Sequence, residues 1–143
     1  MDIKDIEDWL KNKSPDAPHV IGELAVDIDG VHKRFPANLL SIEGSIFAYF
    51  GSPIGEHLIT DGYFAIRCPY SDIGKDIDLP QVYSYLAFKQ ASTWYQPEGG
   101  TLKVNYDESR IHVYGGFNAR FSEGSPVTTM MNGVFSISWF KGA

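Results

Sequence analysis

Residues 115–140 read GGFNARFSEGSPVTTMMNGVFSISWF, and they contain two similar phrases. G-F-x-A-x-F starts at Gly116, and G-V-F-S-I-S-W-F starts at Gly133. Each sets apolar residues at every second position, which marks a strand with one buried face. The first run extends back to Ile111. Ile111, Val113, Gly115, Phe117, Ala119 and Phe121 share one face, against His112, Tyr114, Gly116, Asn118 and Arg120. After a turn at 123–126, Thr129, Met131, Gly133, Phe135, Ile137 and Trp139 repeat the pattern. A strand from 111 to 121 exceeds the usual length, and the Gly115-Gly116 pair is where it can bend, bulge or cross between sheets. Phe117, Phe121, Phe135, Ile137 and Trp139 are therefore the expected core of this half of the chain.

Working outward, the same period governs most of the sequence. In GELAVDIDG, Leu24, Val26 and Ile28 alternate with Glu23, Ala25 and Asp27. Asp29-Gly30 then signals a two-residue hairpin, with VHKRF as the returning strand. EGSIFAYFG and DGYFAIRCP are apolar on both faces, so they are expected at the centre of the sheet. YSDIGKDIDL, between Pro69 and Pro80, has little periodicity and reads as a loop. VYSYLAFKQASTWYQ reads as strand from the alternation of Tyr83, Tyr85 and Ala87 with Val82, Ser84, Leu86 and Phe88, with a short helix as the alternative. Leu102, Val104 and Tyr106 alternate with Thr101, Lys103 and Asn105 before a turn at Asp107-Glu108-Ser109. Glycines head or interrupt these runs at Gly22, Gly44, Gly62, Gly100, Gly116 and Gly133. A strongly curved sheet needs such positions, where a missing side chain lets a strand coil over a bulky neighbour. None opens a strand-to-helix turn with phosphate-binding spacing.

Residues 1–13 differ. Ile3, Ile6, Trp9 and Leu10 fall on one helical face. Asp2, Asp5, Glu7 and Asp8 precede Lys11 and Lys13, an order that suits the helix dipole. Ser14-Pro15 stops the helix, because the residue before proline avoids the α region. This helix is expected to cap an open end or face of the β-fold, with docking to another protein as the alternative. The expected architecture is a single domain over 1–143. It has a helix at 1–13 and an antiparallel β-sandwich or flattened barrel of eight to ten strands over 20–140.

The closing residues 99–140 resemble the C-terminal meander of uncharacterised bacterial β-domain families, many of them lipoproteins. The matching residues are Gly100, Asp107, Gly116-Phe117 and Asn132-Gly133 with Phe135. The resemblance implies a twisted antiparallel meander and transfers no catalytic residue. The chain departs from those families in showing no lipoprotein signal.

The 143 residues carry a formal net charge of −6. That argues against nucleic-acid and anionic-membrane surfaces, which need clustered Lys and Arg. No basic-then-apolar leader and no 18-residue apolar window is present, so the expected compartment is the cytoplasm. Cys68 is the only cysteine, so no internal disulfide can form, and its place in a strand pattern marks it as a small buried hydrophobe. His19, His32, His57 and His112 show no ligand spacing, so no metal site is read from them. Asp72, Asp76 and Asp78 crowd one loop, but their spacing does not match a calcium loop and Lys75 sits among them; the loop reads as solvated. There is no G-x-S-x-G elbow. No catalytic residue and no cofactor is assigned.

The remaining candidates are aromatic. Tyr83, Tyr85, Trp94 and Tyr95 flank a polar segment near an acidic turn, and break the clean alternation seen elsewhere. Such rings suit a protein hot spot or a small amphipathic ligand. The expected function is a non-enzymatic binding or interaction module; one specific form of it is a bacterial inhibitor or immunity-type protein that covers a toxin's basic active site. The alternatives are a lipocalin-like carrier of a small ligand and an enzyme on a β-barrel or jelly-roll scaffold. The oligomeric state is left open.

Overall fold

The computed structural model describes residues 19–51, 62–91 and 93–140. The helix expected at 1–13 lies outside these. The described chain is mainly β, in ten strands: β1 Val20–Ile28, β2 Val31–Ser41, β3 Ile46–Gly51, β4 Tyr63–Cys68, β5 Ile77–Asp78, β6 Tyr85–Gln90, β7 Thr93–Tyr95, β8 Gly99–Asp107, β9 His112–Arg120 and β10 Thr129–Trp139. They form one antiparallel sheet in the order β5-β8-β9-β10-β1-β2-β3-β4-β6-β7. The expected sandwich or flattened barrel is therefore one continuous sheet, curled into a half-barrel.

Distances show how far it curls. β9 and β4 are five places apart in the order, which is about 24 Å in a flat sheet. Yet the rings of Phe117 and Phe64 on those strands lie 5.9 Å apart. Phe50 on β3 and Phe135 on β10 likewise meet at 6.1 Å. At the far margin, only residues 96–98 connect β7, the last strand, to β8, the second. Four peptide steps reach at most about 14 Å, so the two ends of the sheet are close in space. The concave face becomes the core. It holds Leu24, Val26, Phe35, Phe50, Phe64, Phe88, Val113, Phe117 and Phe135, all nearly or fully buried.

Two extra residues produce the bend. In β2, register shifts between Ala37 and Leu39: residues up to Pro36 pair with β1, and those from Ala37 pair with β3. Pro36 has no N–H to give a ladder, which suits the point where the strand changes partner. In β10, one extra residue stands between Met130 and Gly133 against both β9 and β1. Such a bulge bends a strand and increases its twist. Asn132, at its centre, has φ +56. The bulge reverses the side-chain phase. Met130 is fully buried and Met131 half exposed, opposite to the simple alternation, whereas Phe135 and Ile137 point inward as expected. Gly115-Gly116 is not the break point, since β9 pairs through it without interruption to β8 and β10. Its place is taken by Asn132-Gly133.

Glycine is required where strands approach most closely. Gly22 has φ +143, and a Cβ there would sit 1.9 Å from the Ser136 carbonyl oxygen. The ring of Phe117 packs where a Cβ on Gly133 would be, at 2.6 Å. Asp29 and Gly30 turn the β1–β2 hairpin with positive φ at both positions, as the sequence indicates. The segment 82–96 is a hairpin rather than one strand: β6 and β7 pair from Phe88↔Tyr95 to Gln90↔Thr93. Ala91, with φ 51, lies in the connection, and no glycine or asparagine marks it.

The bulge yields a direct test. Met130→Ala is expected to lower unfolding free energy by about 2–5 kcal/mol, and Phe135→Ala by about 3–5 kcal/mol. Met131→Ala should stay within about 0.5 kcal/mol of wild type. Urea unfolding of the three variants measures this, and equal losses at Met130 and Met131 would refute the phase reversal.

Candidate functional site

The bulge in β10 organises the convex face above it. Its exposed backbone is satisfied by side chains of neighbouring strands. Asn132 N donates to Asn118 Oδ1 on β9 at 3.0 Å, and its Nδ2 donates to Asp27 Oδ2 on β1 at 3.1 Å. The other oxygen of Asp27 lies 2.9 Å from His32 Nδ1 on β2. A polar chain thus crosses four strands, His32–Asp27–Asn132–Asn118. These contacts hold the Asp27 carboxyl below the ordinary carboxylate range, chiefly through the Asn132 hydrogen bond and then through His32. One turn away, Asp29 accepts from the backbone N–H groups of Thr128 and Thr129 at 2.8–3.2 Å, and so ties the β1–β2 turn to the start of β10.

Beside this chain lies an open groove of about 430 Å³ across β8, β9 and β10. Gly116 faces Lys103 on one neighbour and Val134 on the other, and has no side chain to fill the space between them. Thr101, Lys103, Asn118, Asn132 and Val134 form the rim, with Asp76 reaching in from the loop before β5. All six are exposed. The groove offers amide and hydroxyl groups, one charge of each sign and one apolar side chain. That set can hold a polar chain or ring by hydrogen bonds along one flank and apolar contact along the other.

The loop carrying Asp76 has a structural task. Leu79 N donates to Gly100 O, Gly74 N donates to Val104 O, and β5 pairs between them at Leu102. Residues 74–79 therefore satisfy the outer edge of β8, which otherwise would offer free backbone groups to another chain. Asp72 accepts from Ser84 Oγ at 2.6 Å. Among the described residues, no group of three or more His, Cys, Asp or Glu is placed to hold a metal ion, and no helix is long and apolar enough to cross a membrane.

The four aromatic candidates do not form one exposed patch. Tyr83 is exposed, at the bend before β6. Tyr85 is buried, and Trp94 is half-buried on the same convex side of the sheet. Tyr95 follows Trp94 directly in β7, so alternation turns it to the opposite side, against the main core. The irregularity at 82–96 thus reflects a hairpin with both faces covered. The groove residues were not singled out by sequence, since Thr101, Lys103, Asn118 and Val134 read as the ordinary outward positions of strands. The available signal was Asn132-Gly133, a turn-type dipeptide inside a strand pattern.

Cys68 is fully buried, and burial together with the nearby Asp72 charge pushes its thiol up to about 11. A thiol so placed is no nucleophile near neutral pH. In the native protein it should resist a thiol reagent near pH 8 and react fully once unfolded; rapid native labelling would contradict this placement. Asp27 carries a pH dependence. With its folded pKa lowered, it stabilises the native state above its unfolded pKa of about 3.9, and the contribution is lost as pH falls through the lower folded value. The stability gap between wild type and Asp27→Asn should therefore close on acidification from about pH 5 to about pH 2, as read by urea unfolding at each pH. A gap independent of pH would show that the carboxylate is not the source. No protein-family model, no curated protein and no solved structure matches the chain.

Proposed function

We propose that the protein is a non-enzymatic binding module that engages a protein partner through the groove of β8, β9 and β10. The observation that carries this reading is the groove itself, a concave polar surface held in place by a hydrogen-bonded chain across four strands. Preorganised polar groups lose little freedom on binding, which favours recognition. Among the described residues, the groups with displaced pKa favour binding over catalysis: Asp27 and Asp107 are shifted toward the ionised form by their hydrogen bonds, and Cys68 and Tyr106 toward the protonated form by burial. A general acid or base needs the reverse, a pKa brought toward neutrality.

A carrier of a small apolar ligand is less well supported. Such a carrier needs room inside its barrel, and here the concave face is filled by phenylalanine rings with centroids 4.9–6.5 Å apart. The net charge of −6 favours a basic partner by steering, which suits an inhibitor or immunity-type protein of bacterial origin. The lone buried thiol is compatible with the cytoplasm as its compartment.

The test uses two groove variants at exposed positions, Val134→Arg and Lys103→Glu. Wild type and variants are used as bait in extracts of cells that express the protein, and thermal unfolding is measured in parallel. The expected result is a stoichiometric partner retained by wild type and weakened at least about tenfold by Val134→Arg, as for loss of a hot spot, with melting temperature unchanged. Equal retention by wild type and both variants would move the interface elsewhere.

A further inference from the structure

The two asparagines of the groove have a fixed polarity, because each is tied to a group that can play only one part. The backbone N–H of Asn132 only donates, so the Asn118 atom that meets it at 3.0 Å is Oδ1. The ionised Asp27 carboxylate only accepts, so the Asn132 atom that meets it at 3.1 Å is Nδ2. Asp27 is itself held, since its other oxygen lies 2.9 Å from His32 Nδ1. Each amide is left with its other end. Asn118 keeps an Nδ2 donor and Asn132 keeps an Oδ1 acceptor, and among the described residues neither atom makes a hydrogen bond. The two residues stand on neighbouring strands, β9 and β10, about 4.8 Å apart. Both are exposed and both line the groove. One fixed donor therefore stands beside one fixed acceptor.

We infer that the groove takes a short extended peptide segment of the partner by its main chain. The inference rests on the groove being the binding surface and adds what is bound there. In an extended chain the N–H and C=O of one residue point the same way, which is how a strand residue exchanges two bonds with its neighbour. The Asn118 donor meets that C=O, and the Asn132 acceptor meets that N–H. The floor lets a main chain come close. Gly116 carries no side chain, and a Cβ there would already stand 3.0 Å from the Gly133 carbonyl oxygen of the next strand, so the floor is bare backbone. Side chains of an extended segment alternate between its two flanks. On one flank Val134, 58% exposed, receives an apolar side chain. On the other, Asp76 and Lys103 receive a polar or charged one. The hollow of about 430 Å³ lies toward the lower end of the range for drug-sized ligands. It holds about three residues, or about 10 Å of extended chain. A sugar fits less well. Its ring would call for an aromatic platform, yet no tyrosine or tryptophan lines the groove, and the lining Phe117 is buried. A hydroxyl also both donates and accepts, so it has no use for a donor and an acceptor of fixed kind.

Random linear peptides displayed on phage are the probe, selected on the full-length protein and counter-selected on Val134→Arg. The expected result is a set of peptides whose binding shifts the amide resonances of Thr101, Lys103, Gly116 and Val134. In one such peptide, each backbone N–H is then replaced in turn by an ester oxygen. At one position the replacement should weaken binding about tenfold, as for an acceptor left unpaired. Asn118→Asp should weaken the selected peptides by a similar factor: its Oδ1 still accepts from Asn132, and its second oxygen takes the place of the donor. Thermal unfolding checks that this variant keeps its fold, and the ester scan needs no variant of the protein. Peptides that tolerate every ester replacement, or a selection that yields no groove-binding peptide while immobilised glycans bind, would overturn the inference. A partner lost with Val134→Arg but indifferent to Asn118→Asp keeps the groove as the binding surface and removes the extended segment from it. A partner retained equally by wild type and Val134→Arg removes both.

Discussion

One extra residue in β10 governs this molecule. A single sheet has two faces and buries only one against itself if it bends far enough. The bulge between Met130 and Gly133 lengthens β10 against both of its neighbours at once, and the shift at Ala37–Leu39 in β2 does the same on the other side of β1. Together they bring Phe117 onto Phe64 and Phe135 onto Phe50. A left-handed Asn132 is unfavourable for most residues, and asparagine is among those that tolerate it. The bulge would also leave an N–H without a ladder partner. Asn118 accepts it, and Asp27 holds the Asn132 side chain. The polar chain on the convex side is thus the counterpart of the aromatic core on the concave side. One satisfies the bulge and the other is created by it.

The two halves of the sheet solve the problem of their convex faces differently. On β8, β9 and β10 the outward residues are Thr101, Lys103, Asn118 and Val134, and Gly116 leaves a hollow among them. On β3, β4 and β6 the outward residues are Phe47, Tyr49, Ala65, Tyr85 and Ala87, and they are buried. The first face meets water. The second is apolar and buried. Of the aromatic candidates, Tyr85 and Trp94 belong to this buried half, while Tyr83 is exposed.

The same division bears on edges. A curled open sheet still has two outer strands, and free backbone there invites pairing with another chain. β7 is only three residues long, and β8 has its outer acceptors occupied by Gly74 and Leu79. The acidic loop that resembles an ion site by composition is therefore an edge cover. Its one contribution to the groove is Asp76.

What the sequence determined by itself was local. Period-two alternation identified most of the strands and most of the core, including Phe117, Phe135 and Ile137, but not β5, which lies in a segment that reads as a loop, nor the break between β6 and β7. Asp29-Gly30 identified its hairpin, because a two-residue turn has a local chemical signature. The two-sided apolar character of residues 46–51 and 63–68 placed those strands at positions covered on both faces. The tertiary structure alone decided the rest. Whether strands make one curled sheet or two packed ones depends on pairings between residues about a hundred positions apart, such as Val20 with Trp139, and no local pattern encodes them. The phase of Met130 and Met131 depends on a bulge whose cost is met by Asn118 on the preceding strand and by Asp27, far away in sequence. The groove was hidden for the same reason. Outward residues of strands look alike in sequence, and only the register of β8, β9 and β10 sets Gly116 between Lys103 and Val134 to leave a space.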